Sequence, residues 1–188
     1  MQNIILASKS PRRKWLLKQL GLKFKVVPGN YKEDMTLKMP PAKLAEFLSF
    51  KKAEAIAKEY PKSIIISADT FVVLKGKALG KPKNLNEAKK MLKKLSGEVH
   101  TVMTGFTVMN NKQIISKSVS TKVKFRKLPQ KEITNYLRTT VFIDKAGAYA
   151  VQESGGIFVE RISGDYTNII GLPMPNLINE LKKIGVKI

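Results

Sequence analysis

The sequence predicts an α/β fold built on a mixed sheet. Short apolar, β-branched runs such as "NIIL" and "SIIIS" alternate with segments of helical period, the pattern of strands interleaved with helices. One long stretch, "EVHTVMTGFTVMNNKQIISKSVSTKVKF", has the alternation of two strands about an Asn-Asn turn, so hairpins accompany the crossovers. No linker or low-complexity block divides the 188 residues, and the chain reads as one domain over residues 1–188.

Each element has its own local reason. "NIILAS" is a short buried strand. Ser10 then caps a helix, Pro11 opens it, Leu16, Leu17 and Leu20 form its apolar stripe, and Gly21 ends it. "KFKVVPG" alternates as a second strand. "PPAKLAEFLSFKKAEAIAKEYP" is a helix opened by Pro and stopped at Pro61, with Leu44, Phe47, Leu48 and Ile56 facing inward. "SIIISADTFVVLKGKALGKP" is two apolar runs joined by a polar knot, with "KGK" as a tight turn. "NLNEAKKMLKKLSG" is a third helix. The long hairpin follows, turning at Asn110-Asn111, then a short helix in "LPQKEITNYLRT". "AGAYAV" and "GGIFVERISG" read as strand pieces, and "LPMPNLINELKKIG" closes the chain as a helix.

Composition excludes some chemistry. There is no Cys, hence no disulfide, thiolate nucleophile or zinc-thiolate site, and the single His100 builds no histidine cluster. No apolar run reaches the roughly 18 residues of a membrane span, and no leader opens the chain, so a cytoplasmic protein is expected. The net charge of +21 invites a nucleic-acid reading. Yet only five of the 35 basic residues are Arg, and the lysines are strewn along helical faces. Aromatic residues make up 7% and show no stacking cluster, so nucleic acid is not the expected partner.

Two stretches carry candidate chemistry. In "ILASKSPRRKWLLKQLG" a strand ends at a helix N-terminus, where free backbone N–H groups and the helix dipole attract anions. Ser8 and Ser10 add hydroxyls, and Arg12 and Arg13 add forked donors suited to phosphate. The plain alternative is a cap followed by surface charge. In "SIIISADT" the apolar run delivers Asp69 at a strand end. A carboxylate there either holds a divalent cation or takes a proton from water, and its plain alternative is a turn cap. Lys81 sits in the stiff "LGKP" loop, as a fixed phosphate ligand or as one more surface lysine.

Taken in order, "ILASKSPRR", "SADT", "LGKP", "HTVMTG", "DKAGAYAVQ" and "ISGDYTNIIGLP" resemble the Maf family of nucleoside triphosphate pyrophosphatases, from Ile4 to about Leu181. The resemblance implies an elongated mixed β-sheet flanked by helices, two lobes around a central cleft, and often a homodimer. It implies hydrolysis of a nucleoside triphosphate to the monophosphate and pyrophosphate with a divalent metal cation, Mg2+ or Mn2+. Asp69 matches the family's proton acceptor and, with Glu33, a metal ligand. Ser8, Arg12 and Arg13 match its phosphate-binding opening, Lys52 a lysine of its first long helix, and Lys81 the lysine of its "GKP" loop. "YKED" has Lys32 where an Asp is common, leaving Glu33 and Asp34 as competing ligands.

Thr70 after Asp69, and Gln152 after "GAYAV", resemble the branch acting on dTTP and UTP. An amide donates and accepts at once, which suits the O4 and N3–H edge of uracil or thymine, modified pyrimidines included. Glu153 stands where many relatives have Gly. Asp165 and Asn168 match the family but read as loop-ordering residues. The alternative from another class is a non-catalytic, basic RNA- or DNA-binding protein in cell-division control.

Overall fold

The computed structural model describes residues 3–188. In chain order the elements are β1 (Ile4–Leu6), α1 (Pro11–Lys18), β2 (Phe24–Val26), α2 (Pro41–Ala57), β3 (Ile64–Leu74), β4 (Lys77–Leu79) and α3 (Leu85–Leu95). They continue with β5 (Val99–Met109), β6 (Ile114–Phe125), α4 (Gln130–Thr139), β7 (Val159–Ser163), α5 (Tyr166–Ile170) and α6 (Met174–Lys183).

All seven strands join one sheet in the order β2-β1-β3-β5-β6-β7, with β4 paired to β3. β1 is parallel to both β2 and β3, placing Ile4, Ile5 and Leu6 beside Ile64, Ile65 and Ile66. β1 and the start of β3 read as continuous apolar runs because both faces are covered, while the edge strand β2, with Lys25 and Val26 exposed, does not. β3–β4 and β6–β7 are antiparallel, so the sheet is mixed as the sequence predicts. The "KGK" turn is present: Lys75 and Gly76 both take positive φ, the twist that suits a two-residue hairpin.

The chain forms two compact units. The first takes in residues up to Asp69, Thr104–Val119 and Gly171–Ile188; the second is Thr70–Met103 with Ser120–Ile170. In the first, Ile5, Ala7, Ala53, Ile56, Ile65 and Met109 form a core that packs α2 on the sheet. The buried side of α2 differs from expectation. Phe47 is half-buried, and the inward face is Leu44, Ala45, Leu48, Ser49, Ala53 and Ile56. A small-residue face lets the helix backbone lie close to the sheet, where a bulky one would hold it off.

In the second unit, Val72, Leu92, Leu95, Val123, Phe125, Tyr149 and Phe158 are core. Of two expected strand pieces there, one is absent and the other begins late. "AGAYAV" contains a 3-10 turn (Ala146–Ala148), and "GGIF" lies in another (Ser154–Phe158); only Val159–Ser163 is strand. Gly147 and Ala148 both have φ of 67°, incompatible with extended backbone, and small residues lack the side-chain packing that sustains a strand.

His100 is 1% exposed, stacks edge-on against Phe125 and Tyr149, and shares a 2.8 Å hydrogen bond between Nε2 and the Tyr149 hydroxyl. Burial disfavours the imidazolium and lowers its pKa from 6.5 to about 4. The folded chain therefore stays neutral at His100 while the unfolded chain takes a proton. Stability is complete above pH 6.5 and is lost as pH falls toward 4, by about 2 kcal/mol at pH 5 and about 3 kcal/mol at pH 4. Urea unfolding at pH 7, 5 and 4 should show His100→Gln losing that much less than the parent chain; equal losses would contradict the assignment.

Candidate active site

β1 hands over to α1 through Ser10, whose extended backbone and hydroxyl cap the helix: the Arg13 N–H donates to Ser10 Oγ at 3.4 Å, and Pro11 fills the first helical position. The Ser10 N–H donates to Ser8 Oγ at 3.2 Å. Two backbone donors expected to face an anion are thus used within the chain, because the serines that mark the motif also consume its amides.

The two arginines are not equivalent. Arg13 folds back over the end of β1, donating from Nη1 to Ser8 Oγ at 3.2 Å and from Nε to the Gly171 carbonyl at 2.8 Å. Arg13 is half-buried, and desolvation of its guanidinium lowers its pKa; Asp69 and Glu33 pull the other way, and Arg12 adds a smaller repulsion. A half-buried cation held by a hydroxyl and a carbonyl is a fixed charge. Arg12 is half-buried one residue earlier.

Asp69 lies in the middle of β3, not at a strand end. The strand continues because "TFVVL" keeps the β-branched and aromatic pattern and pairs with β4, while the Asp69 carboxylate engages a side chain instead of competing for backbone. That side chain is Lys52. Its Nζ pairs with Asp69 Oδ1 and lies 2.6 Å from Glu33 Oε1. The Lys52 and Asp69 side chains are 13% and 5% exposed, so this charged contact sits largely out of water. Asp34 does not join it. Its Oδ1 accepts from the backbone N–H and hydroxyl of Thr36 at 2.8 and 2.7 Å, bonds that hold its carboxyl below the usual range. Of the two competing acids, Glu33 is the one beside Lys52 and Asp69.

A buried polar chain holds α2 where Lys52 reaches its partners. Ser67, two residues before Asp69, donates from Oγ to the Ser49 carbonyl at 2.6 Å. Ser49 Oγ meets Thr107 Oγ1 at 2.9 Å, which meets Ser116 Oγ at 2.8 Å. Nearby, Gly105 has no side chain where a Cβ would lie 1.9 Å from the Ala45 carbonyl oxygen. The loop before Glu33 approaches the same helix at Gly29, whose Cβ position is 3.4 Å from the Lys52 carbonyl.

The first unit therefore brings together Arg13, Glu33, Lys52 and Asp69, with Ser8 supporting Arg13. Two carboxylate oxygens converge on one ammonium position, and a guanidinium faces both acids. Among the described residues no group of three acidic, His or Cys side chains gathers, so a cation held here has two protein ligands at most from this set. That fits a hard divalent ion completed by water and phosphate oxygens.

The remaining candidates belong to the second unit. Thr70 is half-buried next to Asp69 in β3; Lys81 is exposed after β4; Gln152 is exposed in a turn. Asp165 Oδ1 accepts from the Thr167 N–H and hydroxyl, both at 2.7 Å, and Asn168 Nδ2 donates to the Val102 carbonyl and Thr121 Oγ1. Both order the segment around α5, as the sequence suggests. Sequence reasoning missed Lys145, whose side chain is 5% exposed and whose Nζ meets the Val141 carbonyl, Asp144 and Glu153. Among thirty lysines nothing in the pattern marks it; its burial is a tertiary fact. No helix among the described residues is long and apolar enough to cross a membrane.

Comparison with known proteins agrees with the order of motifs. Residues 3–184 match the family described as "Maf-like protein". A dTTP/UTP pyrophosphatase from Thermoanaerobacter sp. (strain X514) is 48% identical, the match covering 96% of this chain and 95% of that protein. One from Pyrococcus horikoshii is 44% identical over 98% and 97% of the two chains. The Staphylococcus aureus Ham1 protein, at 13% identity, superposes with a TM-score of 0.56 over 97% of this chain and 100% of that one, which speaks to fold alone. Since the family match runs nearly end to end and full-length relatives share close to half their residues with it, the chain belongs to the family of Maf-like proteins.

Proposed function

We propose that the chain is a nucleoside triphosphate pyrophosphatase that hydrolyses dTTP and UTP, and the corresponding modified pyrimidine nucleotides, to the monophosphate and pyrophosphate. The observation that carries this reading is the meeting of Lys52 with both Glu33 and Asp69 beside the fixed Arg13. The names of the relatives point the same way. The reading takes residues 1–188 as a single Maf-like domain, acting as a cytoplasmic homodimer.

Transfer of a phosphoryl group demands positioning and charge neutralisation more than covalent help. Ser8, Arg12, Arg13 and Lys81 bind the triphosphate oxygens, and Lys52 adds positive charge while keeping two mutually repelling carboxylates together. Asp69 orients the attacking water and accepts its proton as the new P–O bond forms and the α–β anhydride bond breaks. The electron pair of that bond leaves on pyrophosphate, where the same cations meet it. Glu33 and Asp69 would hold Mg2+ or Mn2+, which supplies further neutralisation of the triphosphate. Thr70 and Gln152 read the pyrimidine edge. A purely nucleic-acid-binding role would leave the meeting of Lys52 with Glu33 and Asp69 without a task.

The test is direct. Purified protein with magnesium and UTP or dTTP should release pyrophosphate and monophosphate in equal amounts. Inorganic phosphate as the first product would show cleavage at another bond, and no turnover of any nucleoside triphosphate would end the proposal.

A further inference from the structure

The buried ammonium of Lys145 donates to the Val141 carbonyl and to Asp144 Oδ1 at 3.2 Å, and forms an ion pair with Glu153 Oε2 at 3.3 Å. A lysine is rarely this buried unless such partners are present. The acceptors lie at both ends of the segment 141–153, so one side chain closes that segment on itself. Its middle is anchored separately. The Gly147 N–H donates to the Gly80 carbonyl at 3.0 Å, and Gly147 packs so tightly that a Cβ would fall 2.9 Å from Val72 Cγ2. After Ala150 the chain turns outward, and Gln152 is exposed. There the other oxygen of Glu153, Oε1, accepts from Gln152 Nε2 at 3.4 Å.

We infer that Lys145 is a positioning residue for pyrimidine selection, acting through Glu153 on the amide of Gln152. The inference rests on the proposed reading that Gln152 faces the base. An amide that rotates freely presents its donor and acceptor in either order. It then suits the O4 and N3–H of uracil and the N4–H and N3 of cytosine alike. With Nε2 turned to Glu153, the order is fixed and one base is favoured. Glu153 keeps that orientation because its second oxygen is held by a buried cation, where an isolated exposed glutamate would sample many rotamers. A glycine at position 153 could do none of this, so the device belongs to this chain's own residues.

The experiment compares kcat/KM for UTP and CTP in the parent chain and in Gln152→Ala, Glu153→Ala and Lys145→Met. Glu153 is partly exposed, with 41% side-chain accessibility, so its variant is expected to fold. The UTP preference should fall about tenfold in Glu153→Ala and Lys145→Met alike, with no further fall in the double variant and with kcat on UTP within about threefold of the parent. A purely structural lysine would lower both substrates equally. If Gln152→Ala abolishes the preference while Glu153→Ala or a folded Lys145→Met retains it, the inference fails and the base-reading role of Gln152 stands. If Gln152→Ala itself retains the preference, both fail. Should Lys145→Met not fold, Lys145→Arg replaces it: retained preference with Arg, lost in Glu153→Ala, supports the relay, and lost preference with the charge kept and Glu153 still paired overturns it.

Discussion

Asp69→Asn is expected to lower kcat on UTP by about 10²–10⁴-fold, with KM within a few-fold of the parent chain. Asparagine keeps the volume and one accepting oxygen, so the β3 position is filled and Lys52 retains a neutral acceptor there as well as Glu33. What is lost is the second negative charge beside Lys52 and the ability to take a proton. Removing one member of a buried ion pair usually costs about 3–5 kcal/mol, because the other charge is left without a counter-ion. Glu33, 2.6 Å from the same Nζ, prevents that here, and the loss of stability should be nearer 1–2 kcal/mol. Activity and stability are therefore expected to separate. Steady-state kinetics with a thermal melt on the same sample reads both. A variant that melts normally and keeps kcat within tenfold would remove Asp69 from the chemistry. One that raises KM while keeping kcat would make it a binding residue.

What the sequence discloses of this site divides by range. The turn from β1 into α1 was legible because capping is local: Ser10, Pro11 and the apolar stripe act within one helical turn. The placing of Arg13 over that turn was not, since it depends on the Gly171 carbonyl, 158 residues away. The choice between Glu33 and Asp34 has a local signal. Asp34 stands two residues before Thr36, the spacing of an Asx-type turn, and a carboxylate bonded to its own backbone is withdrawn from other work. Asp69 stands out in the sequence but its place within β3 does not, because a polar residue within an apolar run resembles a strand end unless its tertiary partner, Lys52, is known. Lys145 shows the limit most clearly: its role comes from burial, and burial of one lysine among thirty leaves no periodic trace.

Gly105 was readable in principle, since a lone glycine inside a strand pattern often marks a close backbone approach. It carries the second large prediction. Its backbone is outside the positive-φ region, so alanine is tolerated conformationally; the obstacle is space. A Cβ would lie 1.9 Å from the Ala45 oxygen, 2.1 Å from its carbonyl carbon and 2.7 Å from the Glu46 nitrogen. These are backbone atoms of a helix and cannot rotate aside, so α2 must shift as a body. That shift breaks the Ser67–Ser49 and Ser49–Thr107 bonds and carries Lys52 away from Asp69. Gly105→Ala is expected to cost about 3 kcal/mol or more, lowering Tm by roughly 6–12 °C, with activity falling even where the chain remains folded. Gly76→Ala is the informative contrast. Gly76 does have positive φ, but nothing lies within 4 Å of its Cβ position, so about 1 kcal/mol of local strain is the expected loss and Lys52 is undisturbed. Thermal melts and UTP turnover of the two variants should therefore rank opposite to what backbone angles alone suggest. If Gly105→Ala melts within about 2 °C of the parent and turns over normally, α2 is not held against β5 at that point, and the account of how Lys52 reaches its acids must be rebuilt.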